Sequence, residues 1–156
     1  HGFSKTYAMT GWRLGWLVAD KPLLKEIVKV EEQTITCVPG FIQRAGVAAL
    51  TGPTAPVENM VAEFRARRDL ALKELAQVPG LDVHRPSGAF YLFPRFHTPM
   101  PSLALSERLL KEGHVAVTAG SAFGPAGEGH LRLSYAASRD SIRNGIRGIG
   151  EVLGKL

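Results

Sequence analysis

A chain of 156 residues, 45% of them hydrophobic, is long enough to bury one core and too short for two full domains. Its single cysteine excludes an intrachain disulfide, and without a long apolar run or a signal-peptide pattern we expect a cytoplasmic protein with no membrane partner. The net charge of +5 suggests nucleic acid, but the densest basic run, residues 65–68, lies in a helical pattern typical of a solvated face, so we expect no nucleic-acid partner.

The beginning of the chain predicts a strand. The short apolar segment 13–20 is bounded by Gly11 and by Lys21-Pro22, which favours a buried strand. A buried strand needs sheet neighbours on both sides. Since none precede this one, we expect the neighbours in sequence upstream of His1.

Three helices are expected next. Asp20 is a suitable N-cap and Pro22 suits a first turn. The helix that they begin has apolar residues on one face, namely Leu23, Leu24, Ile27 and Val28. The other predictions for this half are a shorter helix over 41–50, a loop over 51–56, and a long amphipathic helix over 57–78 that Pro79-Gly80 ends.

The second half predicts a small mixed unit of strands and helices. Ser138 is a suitable N-cap for a last helix with a regular apolar face. Four glycines, Gly145, Gly148, Gly150 and Gly154, weaken that helix, and we expect them where it packs closely. The other predicted elements are strands over 81–84, 89–96, 115–118 and 130–137, and a helix over 103–111.

Lys5 is the first candidate for chemistry. A lysine is normally a hydrated surface cation, but Lys5 follows Gly2-Phe3-Ser4 and precedes a largely apolar run. A lysine that is shielded from water or placed beside a second cation acts more readily as a nucleophile or a base. Arg13 supplies such a cation only if the chain turns back between them, and Thr10-Gly11 offers that turn.

Two arginines are further candidates, each with two interpretations. Arg13 is either a surface residue at a strand edge or a phosphate ligand whose planar guanidinium donates two hydrogen bonds. In the second case Gly11 and Gly15 leave room for the ligand. Strict alternation places Arg132 on one face of its strand with His130 and Ser134. An arginine there is either exposed or ion-paired, or it presents its guanidinium to a substrate carboxylate, and the strand alone does not decide.

Other familiar sites are not predicted. The glycine-rich segment 119–130 contains no phosphate-loop motif and precedes a strand, so a shaped loop is expected there. The five histidines lack ligand spacing and there is one cysteine, so no metal site is predicted. No G-x-S-x-G is present, which leaves a serine hydrolase without support.

The stretch GFSKTYAMTGWRLG resembles the lysine motif of class I and II aminotransferases of fold type I, enzymes that depend on pyridoxal 5'-phosphate (PLP). PSGAFYLFPRF and GSAFGPAGEGHLRLSYA look like that family's small C-terminal domain. The resemblance covers essentially the whole chain and implies an α/β fold, which is α+β for the fragment alone. The parts expected are the last strand of the large PLP-binding domain, connecting helices, and a small domain with a short mixed or antiparallel sheet covered by helices. It implies a large-domain remnant over 1–56 and the small domain, with its long first helix, over 57–156.

The resemblance also implies the roles of single residues. Lys5 would form the Schiff base with PLP, Arg13 would bind the cofactor phosphate, and Arg132 would bind the α-carboxylate of the amino acid. Phe90 lies where the family often places an aromatic near the substrate. Many members have a serine three positions before the lysine; this chain has Gly2 there, and Ser4 is not assumed to replace it.

The implied activity is transfer of an amino group between an amino acid and a 2-oxo acid, with a homodimer as the intact form. Aspartate is the default donor, and alanine, aromatic and diaminopimelate-type donors stay open. More than half of a typical member, including the groups that bind the cofactor ring, would lie upstream. We therefore expect this C-terminal fragment not to be catalytically competent alone.

Two alternatives stay open. A PLP-dependent lyase or synthase of the same fold would share the lysine and both arginines, and its products would distinguish it. A transcription regulator with an aminotransferase-like effector domain would carry a winged helix-turn-helix upstream.

Overall fold

The computed structural model describes all 156 residues and divides them into two units, His1–Met60 and Val61–Leu156. The first unit is helical, and the second combines helices with two small antiparallel sheets. None of the helices has both the length and the apolarity that crossing a membrane requires.

The first unit follows the predicted order of helices. Its elements are α1 (Phe3–Thr6), a 3₁₀ turn (Thr10–Trp12), α2 (Lys21–Thr34), α3 (Gly40–Thr51) and the first turns of α4 (Ala55–Leu75). Because α3 continues to Thr51 and α4 already begins at Ala55, the loop predicted over 51–56 is only residues 52–54. The hydroxyl of Thr51 donates to the carbonyl of Val47 at 2.9 Å, which accommodates this polar residue in the last turn of α3.

The start of α2 is confirmed, but its apolar face is not covered. Asp20 occupies the N-cap position with Pro22 in the first turn, although the Asp20 side chain makes no capping hydrogen bond. No residue of α2 is buried, and Leu23 and Ile27 are 56% and 37% exposed. The pattern thus predicted the helix correctly, whereas the chain provides no packing partner for that face.

The strand predicted over 13–20 is wrong in this structure. The segment forms one isolated antiparallel bridge, between Gly2 and Gly15, and no ladder. A strand is stable only when its backbone N–H and C=O groups pair with a neighbour, and here only the segment around Gly2 lies alongside. Trp16, Leu17 and Val18 are accordingly exposed.

The second unit contains the strands, which are short. After the C-terminal part of α4 its elements are β1 (Leu81–Asp82), β2 (Tyr91–Leu92), β3 (Arg95–Phe96), α5 (Ser102–Glu112), β4 (Thr118–Ala119), β5 (Leu131–Ser134) and α6 (Arg139–Leu153). Three strands form an antiparallel sheet in the order β2-β5-β4, and β1 pairs with β3 in a separate two-stranded sheet.

The single strand predicted over 89–96 is two strands in two sheets. Tyr91 and Leu92 pair with Ser134 and Leu133 of β5, whereas β3 pairs with β1. Pro94 lies between them, and because proline has no N–H it interrupts a ladder. Its carbonyl still accepts from the Leu131 N–H at 3.1 Å, so the break stays attached to β5.

Two buried clusters form the core of the second unit, and α6 contributes to both. Ile142 and Ile146 pack with Leu75 of α4, while Ile149 and Val152 pack with Leu105 of α5. The cap of α6 is confirmed, since the Ser138 hydroxyl accepts from the Ser141 N–H at 3.1 Å. The period of the apolar residues therefore identified this helix and its buried face correctly.

Candidate functional site

The chain around Lys5 folds back on itself. The Phe3 N–H donates to the carbonyl of Leu14 at 3.1 Å, and the Trp16 N–H donates to the carbonyl of His1 at 2.8 Å. These bonds close residues 3–14 into a loop that carries both Lys5 and Arg13. The turn predicted at Thr10-Gly11 is confirmed, because the 3₁₀ turn begins at Thr10.

Hydrogen bonds inside the loop fix its shape. The Thr10 hydroxyl donates to the carbonyl of Ser4 at 2.9 Å, and the Met9 N–H points to the carbonyl of Phe3. Phe3 is 3% exposed and anchors the loop. A β-carbon at Gly46 of α3 would lie 2.5 Å from the Leu14 side chain and 3.3 Å from the Phe3 ring, so a glycine there lets the helix approach the anchor.

Lys5 and Arg13 occupy different backbone settings of this loop. Lys5 lies in the last turn of α1 and is exposed, so the shielding expected from its apolar neighbours is not found. Arg13 has the left-handed conformation, φ 51° and ψ 45°, and its Nη1 donates to the carbonyl of Thr10 at 3.1 Å. Arg13 makes no salt bridge, so its charge is available to an anionic ligand.

Arg132 lies in the middle strand of the three-stranded sheet. Its Nη2 donates to the Thr118 hydroxyl at 3.2 Å, directly across the register from β4. Its guanidinium carbon lies 4.6 Å from the ring centroid of Tyr91 and 4.9 Å from that of Phe123. It is half-buried, and no carboxylate pairs with it. Arg132 is thus in a middle strand and makes no salt bridge, and its role as a carboxylate ligand stays a prediction.

A glycine-rich loop brings Phe123 to Arg132. Its backbone crosses itself so closely at Gly120 and Gly127 that a β-carbon on Gly120 would lie 1.9 Å from the Gly127 carbonyl oxygen. Gly124, with φ 101°, takes a conformation that other residues rarely adopt. The prediction of a loop with a defined shape is confirmed. Its glycines at 120 and 127 allow the two backbone segments to approach each other closely.

Glu128 fastens this loop to the first turn of α5. Its carboxylate accepts from the Ser102 N–H at 2.6 Å, from the Ser102 hydroxyl at 2.9 Å and from the Gly129 N–H at 3.0 Å. The bond from the Ser102 N–H, followed by those from the Gly129 N–H and the Ser102 hydroxyl, lowers the pKa of Glu128 from its usual value. The Ser102 N–H is at the N-terminus of α5, where N–H groups lack a partner within the helix and a negative charge is stabilising.

Phe90 lies against the core of the second unit. Its ring contacts Phe64 at a centroid distance of 6.0 Å and Tyr91 at 4.4 Å. Its carbonyl accepts from the Tyr135 N–H at 3.0 Å. The aromatic rings nearest the Arg132 guanidinium are those of Tyr91, the next residue along, and Phe123.

Three neighbours of Arg132 were not predicted from the sequence: Thr118, Tyr91 and Phe123. Thr118 and Tyr91 lie on the same face as Arg132 through strand register, which one sequence does not specify. Phe123 follows from the loop shape. The only signal was an aromatic residue inside an otherwise small, glycine-rich segment.

Nearly the whole chain, including the loop around Lys5 and the sheet around Arg132, matches one known protein family. The family model described as Aminotransferase class I and II matches residues 1–149. The chain belongs to this aminotransferase family. Its mixed fold with small antiparallel sheets agrees with the expectation from the lysine motif, and it matches family structures closely.

Relatives within the aminotransferase family differ in their named substrates. The chain is 42% identical to an aspartate aminotransferase of Pyrococcus horikoshii, over 98% of this chain and 40% of the relative. It is also 42% identical to an aromatic-amino-acid aminotransferase of Thermococcus litoralis, with the same coverage. A solved aromatic aminotransferase from P. horikoshii superposes with a TM-score of 0.94 at 43% identity, over 99% of this chain and 42% of that one. The chain thus spans about 40% of the length of the curated relatives it matches.

Proposed function

We propose that the protein carrying this chain transfers an amino group between an amino acid and a 2-oxo acid, with PLP as cofactor. The observation that carries the proposal is the closed loop of residues 3–14, which holds an exposed primary amine, Lys5, together with an arginine that has no carboxylate partner, Arg13. Membership of the aminotransferase family supports the same activity.

The donor set of the loop fits this cofactor. PLP presents an aldehyde and a phosphate, which call for an amine and a cation, and the loop has one of each. The fork of an arginine suits a phosphate because two N–H groups can donate to two phosphate oxygens. No cluster of three or more histidine, cysteine, aspartate or glutamate side chains is placed to hold a metal ion.

Each residue then has a defined task. PLP supplies an electron sink for the substrate when it is bound. The Lys5 Nζ would hold the cofactor until the substrate amine displaces it, and the freed Lys5 amine would then take the proton from the substrate α-carbon. Arg13 binds the phosphate, and Arg132 binds and orients the α-carboxylate. Phe90 remains a proposed neighbour of the substrate, and its packing on Tyr91 links it to the environment of Arg132.

Aspartate is the first donor to test. The relatives named for aspartate and for aromatic amino acids are equally similar to the chain, so both L-aspartate and L-phenylalanine belong in the assay. The intact enzyme is proposed to be a homodimer, which sedimentation of the intact protein would test.

The test is amino transfer by the intact protein, loaded with PLP, from each donor to 2-oxoglutarate. We expect both keto acid and new amino acid to form in equal amounts, and Lys5→Ala to abolish the reaction. Lys25→Ala, which removes an exposed lysine of α2, is the matched control and keeps the activity. Release of an eliminated fragment without a new amino acid would favour the lyase alternative and contradict the proposal.

A further inference from the structure

The surroundings of Arg132 suggest a second group of residues with a role in recognition. An arginine on an open strand face has several rotatable bonds, and ordering them costs free energy when a ligand binds. A side chain already ordered before binding avoids that cost. Arg132 has three contacts that order it: one hydrogen bond, to Thr118, and two aromatic rings, Tyr91 and Phe123.

The two rings contact the guanidinium carbon at distances typical of a cation–π interaction, 4.6 Å and 4.9 Å. Neither contact is one of the hydrogen bonds of Arg132, so the rings leave the guanidinium N–H groups able to donate. The Thr118 hydroxyl accepts from one N–H of the guanidinium, that on Nη2. A carboxylate approaching in the guanidinium plane would therefore meet donors whose orientation is already set.

Both rings are themselves held in place. Tyr91 pairs with Ser134 in the register of β2 with β5, so its position follows from the sheet. Phe123 meets the ring of Phe93 edge to face at 5.8 Å. Its loop is fastened to α5, where the Ser121 N–H donates to the hydroxyl of the fully buried Ser102 at 3.2 Å.

We propose that Tyr91 and Phe123 are positioning residues for Arg132: their rings hold the guanidinium in the orientation that receives the carboxylate of the amino-acid substrate. This rests on the proposed function, in which Arg132 binds that carboxylate. As positioning residues, the rings act through Arg132 and do not touch the reacting atoms. Their effect is on the preference for a carboxylate over a neutral group of the same shape.

The experiment uses the intact protein and the variants Tyr91→Leu and Phe123→Leu, which remove a ring and keep an apolar side chain. Dissociation constants are measured for 3-phenylpropanoate and for its neutral amide, 3-phenylpropanamide. We expect the preference for the carboxylate to fall about five- to tenfold in each leucine variant, with amide binding unchanged. Tyr91→Phe and Phe123→Tyr, which retain a ring, should restore the preference.

A second readout needs neither ligand nor activity. Nitrogen-15 relaxation of the Arg132 Nε–H group, assigned through Arg132→Lys, should show greater mobility in the leucine variants and wild-type mobility in the ring-retaining variants. Unchanged mobility, or an unchanged carboxylate preference, in both leucine variants would overturn the proposal. Wild-type protein that transfers no amino group would instead overturn the proposed function, while the mobility of Arg132 still decides whether the rings position it.

Discussion

At the scale of single residues, the sequence predicted which face of its strand Arg132 occupies but not which residues surround it. Alternation along β5 correctly placed Leu131 inside and Arg132 on the other face, because the side-chain period of a strand is fixed. The absence of a carboxylate partner for Arg132 and the presence of Tyr91 and Phe123 were not predictable. They depend on strand register and on a loop whose course is set by close backbone contacts.

Glu63 gives a prediction about pH. Its carboxylate accepts from Arg139 of α6 at 2.6 Å and from Arg67 of α4 at 2.8 Å. The two bonds lower the pKa of Glu63 from 4.5 to about 2, and the bond from Arg139 has the larger effect. A carboxyl group whose pKa is lower in the folded state stabilises that state fully above its unfolded pKa, and the contribution disappears as the pH falls through the folded pKa.

The variant that tests this is Glu63→Gln in the intact protein. We expect it to lower the urea midpoint at pH 7 and the difference from wild type to shrink as the pH falls from 4.5 toward about 2. Glu58→Gln, an exposed position on the same helix that makes no ion pair, is the control. A difference that stays constant across this pH range would show that the ion pairs are not its source.

At the scale of elements, helices were predicted better than strands. The apolar period of α6 and the cap at Ser138 are local signals, and both are confirmed. Strands depend on a partner elsewhere in the chain. For this reason the predicted strand over 13–20 is only a bridge at Gly15, and the one over 115–118 begins only at Thr118.

The glycines of α6 give a matched pair for a stability test. A β-carbon at Gly148 would lie 2.5 Å from the Gly113 carbonyl oxygen, whereas one at Gly145 would meet only Val115, at an ordinary 3.8 Å. We expect Gly148→Ala to destabilise the protein by about 1–3 kcal/mol, since backbone must move. Gly145→Ala should be neutral or stabilising by up to about 1 kcal/mol, since alanine favours helix.

Urea unfolding of the two glycine variants, with wild type alongside, provides the measurement. Close packing was predicted for all four glycines of this helix, but only at Gly148 would a β-carbon collide with another segment's backbone. Equal midpoints for the two alanine variants would mean that the contact with Gly113 does not limit the packing of α6 on α5.

At the scale of the whole molecule, the first unit has little core of its own. Phe3 is its one large buried side chain, while many large apolar residues are exposed. Exposed apolar surface of this extent is typical of a face that other protein covers. These residues are Trp12, Trp16, Leu17, Val18, Leu23, Ile27, Val28, Val30, Ile35, Phe41, Val47 and Leu50.

The small core and the exposed apolar residues of the first unit lead to a prediction about a polypeptide of residues 1–156 alone. The chain spans about 40% of the length of its curated relatives, and we propose that the groups around the cofactor ring belong to the rest of the intact protein. We expect a polypeptide of residues 1–156 alone to show no amino transfer in an assay in which the intact protein is active. Turnover by the 156-residue chain at the rate of the intact protein would contradict this expectation.

Lys5 is proposed to be the residue that binds the cofactor, and chemical reduction tests this directly. Borohydride reduction of the intact protein with PLP fixes the cofactor on the amine that holds it, and peptide mapping then identifies the modified residue. We predict the label on the peptide that contains Lys5, and none there in Lys5→Ala. A label on another lysine of the wild-type protein, with Lys5 unmodified, would show that Lys5 is not the residue that holds the cofactor.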